Sequence, residues 1–259
     1  MSYLTGGCPA ALLSRNMDCN MKNEYTKMIG CIADDFTGAS DIGSFFVKGG
    51  RKTLLTNGVP EAGFVPEHSI DTVVIALKTR SVEPAEAVKR SLQAYDYLNR
   101  IGSSQIYFKY CSTFDCTPKG NIGPVADALL EKTGAPYTLL CPSLPVNGRT
   151  VRDGGLYVHG IPLHDSPMRN HPVNPMWDYR LAALMSNQSK YSCIVLSADD
   201  LHKSEQELAA QLKDMNPEKP FYLIPDYFED SHAREIARHF HRLPLITGGS
   251  GLAEFLGPR

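Results

Sequence analysis

Two adjacent carboxylates, Asp34 and Asp35, follow the apolar run 28–33 and precede Thr37-Gly38. Like charges in close quarters raise the pKa of one of the pair, which suits a general base or a magnesium ligand. A single carboxylate at this place would also cap a helix that begins after it. Because a cap needs only one of the two, we predict a chemical role for the pair.

A cation and two hydroxyls stand close together in the segment 109–115. Lys109, Ser112 and Thr113 would together hold an organic carboxylate and its neighbouring hydroxyls. The same residue types are also ordinary in a solvated capping turn. The segment by itself leaves both interpretations open.

Arginines follow two further strand-like runs. Asn147-Gly148 predicts a type I′ hairpin tip, because this pair supplies the two positive φ angles that such a turn requires. Arg149, next to that tip, is then either a bidentate clamp for a carboxylate or a solvated surface residue. Arg80, after the run 72–77, has the same two interpretations.

A glycine turn at 247–251 follows the last apolar run. A strand-to-helix turn of this kind presents backbone N–H groups to an anion. The turn is not GxGxxG and lacks the Gly-Lys of a P-loop, so it predicts no nucleotide site. The eight histidines show no HExxH or other paired metal spacing, and we predict no metal site from the sequence.

These residues require a sheet that brings strand ends together. From residue 28 onward, short apolar runs alternate with longer runs of helical period, which predicts a doubly wound, mostly parallel α/β sheet. The segment 142–175 is rich in Pro and Gly and predicts a functional loop or a hairpin insertion. The predicted strands are 28–33, 53–56, 72–77, 105–110, 137–141, 191–196, 221–224 and 243–247. The predicted helices are 40–47, 84–100, 123–132, 204–215 and 231–240. Ligands bind beyond the carboxyl ends of such strands, where the candidate residues stand.

Composition narrows the possible partners. Among 259 residues, 26 Lys and Arg nearly balance 28 Asp and Glu, so no basic field exists for nucleic acid or an anionic membrane. No apolar run approaches the ~18 residues of a membrane-spanning helix. Seven cysteines without a CxxC spacing predict reduced thiols in a cytoplasmic protein, with Cys31, Cys141 and Cys193 packed as small hydrophobes.

Residues 1–27 differ from the rest in composition and lack the apolar core of a secretory signal. We interpret them as a disordered leader or as the result of a misassigned start, with translation beginning at Met21 or Met28. Because no linker-like stretch follows, residues 28–259 are predicted to form one domain.

Five segments taken together resemble the four-carbon acid sugar kinases, in particular the 3-oxo-tetronate kinase subgroup. They are IGCIADDFTGASDI (29–42), YFKYCSTFD (107–115), KGNIGP (119–124), PVNGRT (145–150) and TGGSGL (247–252). The resemblance extends from Met28 to about Leu252 and implies the sugar-acid-binding N-terminal domain of such a kinase. It implies phosphorylation of a 3-oxo-tetronate, such as 3-dehydro-erythronate, to its 4-phosphate, with ATP and Mg²⁺ as cofactors.

The same resemblance assigns roles to individual residues. Asp34 and Asp35 match the acidic motif at the substrate, and of the two we favour Asp35 as the base that accepts the hydroxyl proton. The residues expected to bind the substrate are Lys109, Ser112, Thr113, Arg149 and, more weakly, Arg80.

The resemblance also sets an expectation about what the chain lacks. The nucleotide domain of the family begins shortly after the TGGSGL motif, so we expect no ATP site within this chain. We expect a small sugar acid as ligand and a nucleotide-binding domain in trans or in a longer chain as partner. The isolated chain is then an inactive half of a kinase; the alternatives are a non-catalytic sugar-acid-binding module and a truncated kinase.

Overall fold

Eight parallel strands form the central sheet of the protein. The computed structural model describes residues 28–114, 117–215, 218 and 220–257; the predicted leader 1–27 lies outside them. The sheet order is β2-β3-β1-β4-β11-β5-β10-β9, and the paired strands run parallel throughout. The strands are β1 Ile29–Ala33, β2 Thr53–Asn57, β3 Thr72–Ala76, β4 Gln105–Lys109, β5 Tyr137–Cys141, β9 Cys193–Leu196, β10 Phe221–Pro225 and β11 Leu245–Gly248. The doubly wound α/β prediction is confirmed.

Helices cover both faces of the sheet. They are α1 Phe36–Lys48, α2 Pro84–Arg100, α3 Ile122–Thr133, α4 Leu181–Ser186, α5 Ala198–Leu201, α6 Glu205–Asp214 and α7 Asp230–Phe240. The core on one face contains side chains of α2, α3 and α4, and the core on the other contains those of α1, α5, α6 and α7. Strands β1, β3 and β4 are buried along their whole length between these layers, which explains their continuous apolar runs.

The sheet has a switch point between β1 and β4. The chain leaves β1 through α1, on one face, and returns in β2 at one end of the sheet. It leaves β4 through α3, on the opposite face, and returns in β5 on the other side. Two connections that diverge in this way leave a crevice at the carboxyl ends of the neighbouring strands, where ligands bind in open α/β sheets.

The Pro- and Gly-rich segment contains a small antiparallel sheet of three strands, β6 Arg149–Arg152, β7 Gly155–Val158 and β8 Ile161–Pro162. The prediction that Asn147-Gly148 is its tip is wrong, because Pro145–Asn147 form a 3-10 helix and Gly148 ends it in the left-handed region. The tips are Asp153-Gly154 and His159-Gly160, which supply the paired positive φ angles of type I′ turns.

The buried cysteines pack as predicted. Cys31 and Cys141 are buried in β1 and β5, Cys193 is partly buried in β9, and all three are free thiols. Burial raises the pKa of Cys141 and of Cys193 to about 12, so both remain protonated and behave as small apolar side chains.

Candidate functional site

Asp34, which is buried, and Arg80, which is partly exposed, form an ion pair at the carboxyl ends of β1 and β3. Arg80 donates from Nε to Asp34 Oδ2 at 2.8 Å and from Nη2 to Oδ1 at 2.7 Å. Burial raises the pKa of the Asp34 carboxyl, and the bonds from Arg80 oppose that rise. Burial lowers the pKa of the Arg80 guanidinium, but the bonds to Asp34 outweigh it and the net shift is upward. One guanidinium therefore engages both oxygens of Asp34.

The two carboxylate oxygens of Asp35 have different surroundings. Its Oδ1 accepts the backbone N–H of Gly38 at 2.6 Å and so caps α1, as the helix-cap interpretation expected. The same oxygen lies 3.1 Å from Nη2 of Arg80. The side chain is 29% exposed, and Oδ2 has no hydrogen-bond partner among the described residues. One oxygen of Asp35 is thus fixed by the helix and the arginine, and the other is open to a ligand.

Lys109 brings a buried cation to the same place. It ends β4, is 4% exposed, and donates from Nζ to the carbonyl of Tyr110 at 2.8 Å. A Cβ added at Gly38 would lie 3.0 Å from Lys109 Nζ and 2.5 Å from Asp35 Oδ1. The ammonium and the carboxylate therefore lie together against Gly38. Only glycine at this position leaves them room.

Ser112 and Thr113 lie in a tight turn beyond β4. Phe114 N–H donates to the carbonyl of Cys111 at 3.0 Å, and Phe114 itself has a φ of 50°, in the left-handed region. Its ring is fully buried against Tyr110, which holds the turn in place. Thr113 is buried, with Oγ1 2.9 Å from the sulfur of Cys111, whereas Ser112 is partly exposed beside Gly249.

The glycine turn joins β11 to the end of β5. A Cβ at Gly248, Gly249 or Gly251 would lie 2.2, 2.4 or 2.5 Å from the carbonyl oxygens of Cys141, Pro142 or Ser143. Gly249 N–H donates to the carbonyl of Cys141 at 3.0 Å. The glycines thus serve close backbone packing, and a short 3-10 helix, Ala253–Leu256, follows them.

Arg149 stands further along the same edge. It lies beyond β5, three strand spacings or about 14 Å from β1. Its Nη1 donates to the carbonyl of Asn147, and its Nε is buried without a hydrogen-bond partner among the described residues. The structure therefore brings Asp34, Asp35, Arg80 and Lys109 together and places Arg149 apart from them, with no contact to the carboxylates.

Two polar residues that support this edge were not singled out in the sequence. Asp226 follows β10 and accepts the backbone N–H groups of Asp153 at 2.7 Å and Ala198 at 3.2 Å, which ties the hairpin to the sheet. The rule that polar residues follow the strands would have found it. Asn121, in the KGNIGP segment, contacts the loop that carries Arg80.

A second concave region lies away from the predicted site residues. A cavity of about 560 Å³ opens at the opposite, amino edge of the sheet, and none of the predicted site residues lines it. Two of its arginines are engaged, Arg51 with the carbonyl of Leu256 and Arg238 with Glu235.

The donor set near Asp34 does not fit Mg²⁺, because Arg80 occupies both oxygens of that carboxylate. Across the described ranges, no group of three His, Cys, Asp or Glu side chains could hold a metal ion. Within the same ranges, no helix combines the length and the apolar character needed to cross a bilayer.

The chain is an α/β domain with a doubly wound sheet, and two carboxylates and two cations lie at its switch point, the place where open α/β sheets bind small polar ligands. Residues 29–256 match the family described as the sugar-binding N-terminal domain, and the chain belongs to that family. The family resemblance stated from the sequence is confirmed.

Curated relatives carry the name 3-oxo-tetronate kinase. The protein from Escherichia coli K12 is 48% identical over 225 residues, covering 87% of this chain and 58% of the relative. The protein from Brucella melitensis is 44% identical over 226 residues, covering 87% of this chain and 51% of the relative. The chain thus spans little more than half the length of these relatives.

Solved structures share the fold. A protein from Salmonella typhimurium LT2, described as a putative tRNA synthase, has a TM-score of 0.84 at 45% identity, covering 88% of this chain and 55% of that one. A domain of unknown function from Bordetella bronchiseptica, described as a domain-swapped dimer with bound citrate, has a TM-score of 0.73 at 25% identity. It covers 89% of this chain and 56% of that one.

Proposed function

We propose that the carboxyl edge of the sheet binds a four-carbon sugar acid as the acceptor of a phosphoryl group. The substrate class is a 3-oxo-tetronate such as 3-dehydro-erythronate, and the product is its 4-phosphate. The observation that carries the proposal is the open Asp35 carboxylate, which is paired with Arg80 and lies near the Lys109 ammonium at the switch point. The names of the relatives support the reaction, and the citrate in the Bordetella structure supports an organic acid as ligand.

In this proposal Asp35 is the base. Phosphoryl transfer depends on positioning and charge stabilisation, with an acidic group that accepts the proton of the attacking hydroxyl. The Oδ2 of Asp35 is available for this, whereas Asp34 holds Arg80 with both oxygens. In this proposal Asp34 acts on the substrate through Arg80, whose guanidinium it orients.

The remaining predicted residues bind the acid. Arg80 keeps Nη1 without a hydrogen-bond partner among the described residues, and its side chain is 23% exposed, so it can still donate to a ligand. Lys109 supplies a second cation, and Ser112 and Thr113 supply hydroxyls on the neighbouring turn. Arg149 would contact the far end of a ligand or close over it from the hairpin.

In this proposal the nucleotide binds to a separate nucleotide-binding unit. ATP supplies the phosphoryl group and Mg²⁺ neutralises its charge. The described residues offer no carboxylate cluster for that ion. We therefore assign ATP and Mg²⁺ to a nucleotide-binding unit supplied in trans or by a longer chain, acting in the cytoplasm, where the thiols stay reduced.

The alternative is a domain that binds a sugar acid without phosphorylating it. The observation that favours it is that the family model matching residues 29–256 is described as a sugar-binding domain. A measurement of ATP turnover distinguishes the kinase from the domain that only binds. ATP consumption with 3-dehydro-erythronate should appear when the unmatched part of the E. coli relative is added. Absence of turnover in the mixture, with binding intact, would leave the binding module.

Binding itself is tested by calorimetric titration of four-carbon sugar acids against the chain. Arg149→Ala should weaken binding by about 1.5–3 kcal/mol, the range for hydrogen bonds to charged groups. The matched control is Arg90→Ala, which removes an exposed arginine paired with Glu86 on α2 and should leave the affinity unchanged. An Arg149→Ala affinity equal to that of the control would remove Arg149 from the site.

A further inference from the structure

Asn121 holds the backbone of the loop that carries Arg80. The residue is 7% exposed and immediately precedes α3. Its Nδ2 donates to the carbonyl of Thr79 at 2.6 Å and to that of Val82 at 2.7 Å, with a longer contact of 3.3 Å to the carbonyl of Arg80. One side-chain amide thus engages three carbonyls of a four-residue loop.

The same loop is fixed from its other side by β1. Thr79 N–H and Arg80 N–H donate to the carbonyl of Asp34 at 2.9 and 3.2 Å. The loop amides therefore face β1, while the loop carbonyls face Asn121. Both sets of bonds constrain the backbone from which the Arg80 side chain reaches the two carboxylates.

Helix capping does not account for Asn121. Asparagine at the position before a helix usually accepts a backbone N–H of the first turn. Here the side chain makes no such bond to α3. Its Oδ1 is buried and has no hydrogen-bond partner among the described residues. A buried amide with an unsatisfied acceptor is costly, so the bonds that its donors make call for an explanation.

We propose that Asn121 is a positioning residue for Arg80, a role that rests on the proposed function of that arginine. Without the amide, the carbonyls of Thr79 and Val82 lose their donor and the loop gains freedom. The Arg80 guanidinium then no longer meets Asp34 and Asp35 in one fixed geometry. The substrate carboxylate loses a pre-oriented partner, so the sugar acid should bind less tightly.

The test observes Arg80 directly, by measuring the NMR chemical shift and the exchange rate of its Nε–H proton. In the wild-type chain this group donates to Asp34 Oδ2, with 2.8 Å between the nitrogen and the oxygen. Its proton should therefore resonate apart from the Nε–H protons of exposed arginines and exchange slowly with water. Arg80→Lys identifies the signal by its loss. In Asn121→Ala and in the isosteric Asn121→Asp, which cannot donate, the signal should move toward those of exposed arginines and exchange at least tenfold faster.

Calorimetry on the same variants supplies the functional readout. Both substitutions should weaken sugar-acid binding about tenfold, the effect of losing two ordinary hydrogen bonds. The control is Asn99→Ala, at an exposed asparagine in the last turn of α2, which should change neither the Arg80 signal nor the affinity.

The possible outcomes separate this proposal from the proposed function. An unchanged Arg80 signal in both Asn121 variants would overturn the positioning role, whatever the affinity. If neither variant folds, Asn121 is a general folding residue and the proposal is wrong. If the wild-type chain binds no sugar acid, the proposed function fails, while the NMR signal still decides whether Asn121 positions Arg80.

Discussion

Asp35 caps α1 and, in the proposed function, is also the general base, two tasks that normally compete for one side chain. A carboxylate that caps a helix is fixed by the backbone, and a general base needs an oxygen that can reach its substrate. In this chain Oδ1 performs the first task and Oδ2 remains available for the second. The arrangement depends on Gly38, which lets Asp35 and Lys109 approach the same point of the backbone.

Gly38→Ala tests that dependence. The new Cβ would lie 2.5 Å from Asp35 Oδ1, so the carboxylate would have to move, and 3.0 Å from Lys109 Nζ, a tight contact. Displacing the carboxylate breaks the cap, which should lower the free energy of unfolding by about 1 kcal/mol. We also expect sugar-acid binding, measured by calorimetry, to weaken at least tenfold.

Gly43→Ala is the matched control in the same helix. The nearest atom to its new Cβ would be Thr53 Cγ2 at 3.9 Å, an ordinary contact. Alanine is favoured over glycine inside a helix by roughly 0.5–1 kcal/mol, so this variant should be as stable as the wild type or more so. Equal effects of the two substitutions would contradict the role given to Gly38.

At the scale of elements, the hairpin and the segment 178–180 support each other. Leu156 N–H donates to the carbonyl of Tyr179 at 2.7 Å, and Gly155 forms an isolated bridge with Arg180. Asp178 fixes this segment by accepting the Arg180 side chain at 2.6 and 3.1 Å and the backbone N–H groups of Tyr179 and Arg180. The position of Arg149 on the hairpin therefore depends on a carboxylate that is remote in sequence.

Low pH should weaken the support that Asp178 gives to the segment 178–180 and, through it, to the hairpin. The side-chain bond from Arg180, together with backbone N–H donors, lowers the pKa of Asp178 to about 2. A carboxyl whose pKa is lower in the folded chain stabilises it fully above the unfolded pKa, and the contribution disappears as the pH falls through about 2. Asp178→Asn should cost about 1–2 kcal/mol at pH 7, and the difference from wild type should shrink between pH 4 and pH 2.

Denaturant unfolding across that pH range measures the effect. Asp96→Asn, at an exposed carboxylate paired with Lys132, is the control and should change the unfolding free energy by less than about 0.5 kcal/mol. A cost of Asp178→Asn that stays constant down to pH 2 would contradict the assignment.

A substitution in the glycine turn tests how tightly β11 is packed against the end of β5. In Gly249→Ala the Cβ would lie 2.4 Å from the carbonyl oxygen of Pro142, and both elements would have to move. We expect a loss of unfolding free energy on the order of 3 kcal/mol. Gly63→Ala, where no atom lies within 4 Å, should be neutral; a neutral Gly249→Ala would show that the junction is loose.

Sequence patterns predicted the strands well because the central strands are buried on both faces and read as continuous apolar runs. Helix α1 begins at Phe36, earlier than the predicted residue 40, because the cap at Asp35 starts it before its apolar face begins. The hairpin tips were misplaced because Asn147-Gly148 and Asp153-Gly154 carry equally strong turn preferences. The strand-end rule placed the candidate residues at one edge, whereas the pairing of Asp34 with Arg80 depends on side-chain geometry.

At the scale of the molecule, a bound acid should stabilise the whole fold. The proposed contacts come from segments after β1, β3, β4 and β5, so the ligand can bind only when all are in place. At a concentration of 100 times its Kd, a ligand adds about 2.7 kcal/mol to the unfolding free energy. For a chain of this size the Tm should rise by about 5–10 °C. Asp35→Asn should reduce the rise, and an unchanged Tm of the wild type at saturation would contradict the site.

The position of β11 has a consequence for how the molecule is assembled. This strand, Leu245–Gly248, lies in the middle of the sheet, between β4 and β5, although it comes after the other strands of the described residues in the sequence. During synthesis, the strands made earlier form two separate groups until β11 emerges and joins them. The facing edges of β4 and β5 therefore stay unpaired until residues 245–248 have been synthesised, and unpaired strand edges are sites where chains associate with one another.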